Sequence, residues 1–343
     1  MKNPVRTLFL AVAAFFLAVI SPLRAAQELN LFAWSEYVPQ TVLDQFTKET
    51  GIKVNYETYA SNEEMLSKLL GGAAEYDLIQ PSEYVIEALG NQGLLLPLDR
   101  TKIPNMRHIS RKFLDLPHDP QQKYSVPYMA GSVGIVVNTE KIKEPIKGYK
   151  DVFSGKYAGR IVALDDNREL LSWALNVAGL DINTIDDAAI AKARPILAKW
   201  LPQIKVFDSD SPKTAFLNGE VDVGIVWSGE AAILYNQDHK FAYVLPEEGA
   251  HMFIDSLAIP KSAPHAANAH QFLDFILRPE ISVLISAEFP YTNPNQDARA
   301  LLSPEQLANP ASYPRTGDLK TFRDIGKASS AIDKLITDLK GGA

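Results

Sequence analysis

Apolar and polar positions alternate with two periods along this chain. Leu29 to Trp34 is a short apolar run that ends in a polar loop, which predicts a strand. Pro39 to Thr50 carries Val42, Leu43 and Phe46 at helical spacing and stops at Gly51, a residue that closes helices with left-handed backbone. Ile52 to Tyr59 alternates like a strand, Glu63 to Leu70 reads as a helix ended by Gly71-Gly72, and Tyr76 to Gln80 is a strand-like run stopped by Pro81. Buried-strand patterns recur at Ile135 to Asn138, Ile161 to Leu164 and Val223 to Trp227. Helical patterns lie between them at Leu170 to Ala178, Asp187 to Trp200 and His270 to Leu277. Strands separated by helices predict α/β architecture with a mainly parallel sheet. The chain shows no internal repeat and no Gly/Ser linker, so two domains would be joined by ordered strands. Ala130 to Val133 and Phe253 to Ala258 are the candidate crossings.

The N-terminus follows a different rule. Lys2 and Arg6 precede an uninterrupted apolar run of 13 residues, Leu8 to Ile20, which Ser21-Pro22 breaks before the small pair Ala25-Ala26. Residues 1–26 therefore read as a secretory signal peptide, since the run falls short of the roughly 20 apolar residues of a membrane span. The absence of cysteine excludes thiol lipidation, so the expectation is a soluble, monomeric, periplasmic protein.

Length and charge narrow the picture further. The 343 residues suit two domains, with 46% apolar residues as in an ordinary globular chain. The formal charge is −7, and it becomes −10 once Lys2, Arg6 and Arg24 are removed. A concentrated basic surface for nucleic acid is missing, and the acidity favours a cationic ligand.

Enzyme signatures are missing too. The chain has no G-x-G-x-x-G, no G-x-x-x-x-G-K, no H-E-x-x-H, no G-x-S-x-G and no Ser followed three residues later by Lys. The six histidines do not pair at i, i+4, and no metal or other cofactor is expected. His265 and His270 read as residues flanking a helix start at the surface.

The chemistry gathers instead at predicted strand ends, where α/β folds bind their ligands. Those ends read Trp34-Ser35-Glu36-Tyr37, Pro81-Ser82-Glu83-Tyr84, Asp165-Asp166-Asn167-Arg168-Glu169 and Trp227-Ser228-Gly229-Glu230, followed by Phe253-Ile254-Asp255 and Tyr291. Aromatic faces flank methylenes or sit under a cation, and carboxylates accept charge-assisted hydrogen bonds from ammonium groups. The combination suits an aliphatic polyamine better than a sugar or an anion. Trp173 and Trp200 lie inside helical patterns and read as core. Asp166 and Glu169 also have the spacing of a capping box, and Ser82 stands where it would cap a helix beginning at Glu83.

With these residues in view, the chain resembles the periplasmic spermidine/putrescine-binding proteins of ABC transporters. The resemblance runs through Trp34-Ser-Glu-Tyr-Val, Phe46-Thr-Lys-Glu-Thr-Gly-Ile-Lys-Val54, Tyr76-Asp77-Leu78, Asp165-Asp166-Asn-Arg168-Glu169, Trp227-Ser-Gly and Asp255-Ser256-Leu-Ala-Ile-Pro260. It implies a two-lobed, type II periplasmic binding fold with a hinged cleft. Residues 27–131 plus about 255–292 would form one lobe, and about 132–254 plus 293–343 the other. By the same resemblance Trp34, Tyr37, Tyr84, Trp227, Phe253 and Tyr291 wall the ligand's methylene chain. Asp166 and Glu169 would hold one amine, Asp255 another, and Ser35 and Ser82 would supply hydroxyls. Phe253, Ser35 and Phe322 depart from the spermidine-preferring pattern, while Glu230 and Glu36 match acidic positions of the putrescine-preferring branch. The expected ligand is thus putrescine, spermidine or both, and the expected partner an inner-membrane permease with its ATPase. Two rival roles use the same residues: a polyamine sensor reporting to a membrane signalling protein, and an extracytoplasmic hydrolase with Asp166 and Glu169 as acid and base.

Overall fold

The computed structural model describes residues 27–72, 75–314 and 319–341. The expected signal peptide, 1–26, lies outside the described residues. Ten strands form one hydrogen-bonded ladder: β1 (Glu28–Trp34), β2 (Lys53–Tyr59), β3 (Leu78–Ile79), β4 (Ser125–Asn138), β5 (Ile161–Ala163), β6 (Ile204–Phe207), β7 (Val223–Trp227), β8 (Phe241–Val244), β9 (Ala250–Ala258) and β10 (Leu319–Lys320). Their order is β2-β1-β3-β9-β4-β7-β5-β6, with β8 on β4 and β10 on β9.

The longest strand makes the protein two-lobed. Residues 125–132 of β4 pair antiparallel with β9, residues 133–137 with β7 and residues 135–138 with β8. β4 thus leaves one half of the sheet and enters the other within the stretch the sequence marks as a crossing. Within each half the pairing is parallel, β1 with β2 and β3, and β5 with β6 and β7. The crossing strands run against these, so the sheet is mixed.

Helices cover the sheet: α1 (Gln40–Thr50), α2 (Asn62–Gly71), α3 (Glu83–Asn91), α4 (Asn167–Val177), α5 (Asp187–Trp200), α6 (Ser228–Gln237), α7 (Ala266–Ile276), α8 (Pro279–Glu288) and α9 (Ala328–Gly341). Their ends follow local chemistry. Gly51 closes α1 at φ 74°, a backbone that costs glycine little, and its N–H reaches Thr47 O. Ser61 and Asp186 accept from backbone N–H groups at the starts of α2 and α5.

The helical tryptophans are core, as their spacing implied. Trp173 stacks on Tyr149 and Trp200 on Phe153, and Phe46 packs edge-on against Phe272 and Phe275. The reading of His270 needs correction. It lies inside α7 and is buried, with Nε2 accepting from Asp99 N at 3.0 Å and Nδ1 bonded to Ala266 O at 2.7 Å. Its helical phase, not its polarity, decides where it goes. His265 does precede α7, and its backbone N–H donates to the buried Asp77.

Candidate ligand-binding site

The strands of each half end where helices begin, and both face one cavity. Trp34, Ser35 and Tyr37 follow the carboxyl end of β1, and Ser82 and Tyr84 stand at the start of α3. Asp166 is the N-cap of α4 and Glu169 lies in its first turn, while Trp227 ends β7 and Glu230 lies in the first turn of α6. Phe253 and Asp255 belong to β9, and Tyr291 follows α8. All twelve of these residues line a single cavity that is partly open to solvent. Two helix N-termini, those of α4 and α6, therefore present carboxylates to it, the end of a helix dipole that favours negative charge.

Aromatic rings form the frame. Tyr37 lies 5.3 Å from Tyr291 and 6.3 Å from Trp34, between ring centroids. Phe253 packs edge-on against Trp227 at 5.5 Å and against Tyr291 at 5.9 Å. Two glycines make room for these rings. A Cβ on Gly131 would stand 2.2 Å from Phe253 Cζ, and one on Gly229 would stand 2.2 Å from the Tyr291 ring. The Trp227 indole is fixed by its bond from Nε1 to Ser209 O at 2.8 Å.

The carboxylates fall into two groups. Asp255 is buried and accepts hydrogen bonds from Ser82 Oγ at 2.7 Å and Tyr37 OH at 2.9 Å. Asp166 is half-buried and accepts the backbone N–H of Glu169 at 2.9 Å. Among the described residues neither has a Lys, Arg or His within ion-pair distance. Burial pushes both up to about 7, reinforced at Asp166 by Glu169 and Glu63 and opposed at Asp255 by its two hydroxyl donors. Ser82 is the N-cap of α3, but its hydroxyl serves Asp255 and makes no cap bond. The Asp166 cap is real, yet the box is not closed, because the Glu169 side chain turns elsewhere.

Glu169 is paired. Its Oε1 lies 2.5 Å from His251 Nδ1, and its Oε2 accepts from Trp173 Nε1 at 3.2 Å. The other imidazole nitrogen of His251 meets Glu83 Oε1 at 2.9 Å. Burial alone would lower the imidazole, but Glu169 and Glu83 outweigh it and raise His251 to about 10. Burial likewise works against the Glu83 carboxylate, and His251 and the Ile254 N–H reverse it, leaving Glu83 below its ordinary value. Phe322 stacks on the His251 ring at 3.7 Å and lies under the Arg168 guanidinium at 4.6 Å.

Glu230 is paired as well. Lys213 Nζ bonds it at 3.0 Å and also reaches Glu36 Oε2 at 2.8 Å. Burial raises Glu230 to about 7 against the pull of Lys213. Ser35 Oγ donates to Asp210 at 2.5 Å.

Sequence reading missed His251, Glu83 and Lys213. His251, Phe253 and Asp255 alternate along β9, so a period-of-two count outward from Asp255 finds the histidine. Nothing local marks Lys213, because its two partners lie far away in the chain.

The residues 41–314 match the model of the bacterial extracellular solute-binding proteins. The chain belongs to that family. It is 36% identical to the spermidine/putrescine-binding periplasmic protein of Escherichia coli K12 over 92% of each chain. It is 32% identical to the putrescine-binding periplasmic protein PotF of the same organism over 88% of each. The crystal structure of the spermidine/putrescine ABC transporter substrate-binding protein PotD of Streptococcus pneumoniae superposes with a TM-score of 0.80 at 33% identity, covering 92% of this chain and 99% of that one. The two-lobed α/β fold expected from the resemblance is the fold of this solute-binding protein. Among the described residues no helix is long and apolar enough to cross a membrane.

Proposed function

We propose that this solute-binding protein captures a protonated polyamine, putrescine or spermidine, in the periplasm and delivers it to an ABC permease for import. One observation carries the reading. Asp255, buried, and Asp166, half-buried, face an aromatic-walled cavity with no protein cation on either, and taking an ionised carboxylate out of water is costly unless it is paired. A ligand with two ammonium groups joined by methylenes supplies both partners and fills the space between the rings.

The lobes would be residues 27–131 with about 255–300, and about 132–254 with the remainder. The bond from Asn295 Nδ2 to Leu277 O at 2.7 Å supports carrying the first lobe past the 292/293 boundary of the sequence reading. Asn309 Nδ2 bonds Ala232 O at 3.1 Å, which supports placing that segment with the second. Closure about the crossing strands brings Asp166, Trp227 and Glu230 onto a ligand resting against Trp34, Tyr37 and Asp255. Desolvating an ammonium is offset only if it meets a carboxylate, so closure is selective for amines at the right spacing. No bond of the ligand is made or broken.

Titration calorimetry of residues 27–343 with putrescine, spermidine, spermine and agmatine tests this. Tight 1:1 binding of one or two of them, with the amine recovered intact, is expected. Binding of none would overturn the reading, and turnover would replace it with the hydrolase.

A further inference from the structure

The charges around the cavity do not balance evenly, and the imbalance carries information about the ligand. Six carboxylates line it: Glu36, Asp166, Glu169, Asp210, Glu230 and Asp255. The protein supplies cations to three of them. Glu169 has His251, and Glu36 and Glu230 share Lys213. Asp210 is exposed and takes the Ser35 hydroxyl. Asp255, buried, and Asp166, half-buried, are left facing the cavity without a protein cation.

The Lys213 ammonium is held as a ligand ammonium would be. It donates to Glu36 Oε2 at 2.8 Å, to Glu230 Oε1 at 3.0 Å, to Glu230 Oε2 at 3.1 Å and to Ser211 Oγ at 3.0 Å. Three N–H donors are thereby fully used. The Glu230 side chain is 4% exposed and that of Lys213 15%, so this is not a solvated surface pair. Glu36 reaches Lys213 from a left-handed backbone, φ 54°, which a non-glycine residue keeps only where its surroundings impose it.

We propose that Lys213 is a length-determining residue: its ammonium fills the third acidic position of the cleft, so the protein selects a dication over a trication. This rests on the polyamine reading above and names the member of that class. A diamine neutralises Asp166 and Asp255 and leaves the Lys213 pairs intact. The third ammonium of a triamine finds its place taken, and it must either displace Lys213 or remain beside it unpaired. Like charges in a closed cleft repel, and an unpaired buried ammonium is strongly disfavoured.

Calorimetry with putrescine and spermidine on the wild type, Lys213→Ala and Lys213→Met tests the inference. The wild type is expected to favour putrescine at least about tenfold. Both variants are expected to gain about tenfold or more for spermidine while putrescine moves less than about threefold. Lys213→Met keeps the apolar stem, so it reports the charge alone even if the shorter variant folds poorly. Equal or tighter spermidine binding by the wild type, or a selectivity ratio unmoved in either folded variant, overturns the assignment and leaves polyamine binding standing. Binding of neither amine by any of the three proteins overturns the polyamine reading itself, and this inference with it.

Discussion

His251 Nδ1 stands 2.5 Å from Glu169 Oε1, and this contact ties a strand to a helix at the wall of the cavity. Glu169 belongs to α4, His251 to β9, and the far side of the imidazole meets Glu83 on α3. One buried cation thus serves two buried carboxylates. His251→Ala leaves both uncompensated, a change that typically costs about 3–5 kcal/mol. A drop in melting temperature of about 6 °C or more is expected. The sign of the pH effect follows from the raised imidazole, at about 10. The stabilisation is complete below about pH 6.5, the unfolded value, and is lost as pH rises through the folded one. Denaturant titrations from about pH 6 to about pH 10 should show that decline in the wild type, and His251→Gln should flatten it.

Ligand binding should release protons. In the empty cavity Asp166 and Asp255 are held up to about 7 by burial, so a good fraction of each is neutral in mildly acidic buffer. A bound ammonium favours the carboxylate and expels the proton. Affinity should therefore be flat only over a narrow range near about pH 8, fall by about tenfold or more per pH unit on the acid side, and fall again at alkaline pH as the amine loses its own protons. Calorimetry in two buffers of different ionisation enthalpy reads the released protons directly. A pH-independent affinity with no proton release would contradict it.

Asp255 should trade stability for binding. Its folded value lies above its unfolded one, so the unfolded chain ionises first as pH rises from about 4 to 7 and the empty fold loses stability over that window. Asp255→Asn removes the loss while keeping an acceptor for one of the Ser82 and Tyr37 hydroxyls and turning an NH2 donor toward the other. The empty variant is expected to melt about 3 °C or more higher at neutral pH, and to bind polyamine at least about tenfold more weakly. A variant that melts lower and binds normally would place Asp255 in the scaffold.

Much of this site could be read from the chain because it is written in contiguous stretches. Trp34 to Tyr37, Asp166 to Glu169 and Trp227 to Glu230 each follow a strand pattern, so their shared location comes from topology alone. The sequence pattern placed β5 and β7 well because their runs are short, apolar and buried. It read Ala130 to Val133 and Ile135 to Asn138 as separate pieces and missed the first five residues of β4, although the whole strand is buried. The pairing of Glu169 with His251 and of Glu230 with Lys213 stayed hidden for another reason. Each joins residues on different elements, 82 and 17 positions apart, and their partner choice depends on how those elements pack. That same blindness made the Asp166–Glu169 spacing look like a closed capping box.

The aromatic frame should be sensitive to a single methyl group. Gly229 lies against the Tyr291 ring so closely that a Cβ there would stand 2.2 Å from ring carbons. The ring cannot yield freely, because Tyr37 and Phe253 pack on it at 5.3 and 5.9 Å. Gly229→Ala should therefore push Tyr291 into the cavity and lower polyamine affinity by about tenfold or more. Trp227→Ala tests the same frame from the other side, removing a ring edge-on to Phe253, and should weaken binding to a similar extent. Calorimetry on both variants, with a near-ultraviolet circular dichroism spectrum to follow the tyrosine environment, separates the two causes. A normal affinity in Gly229→Ala with an unchanged spectrum would mean that the α6 backbone yields instead of Tyr291.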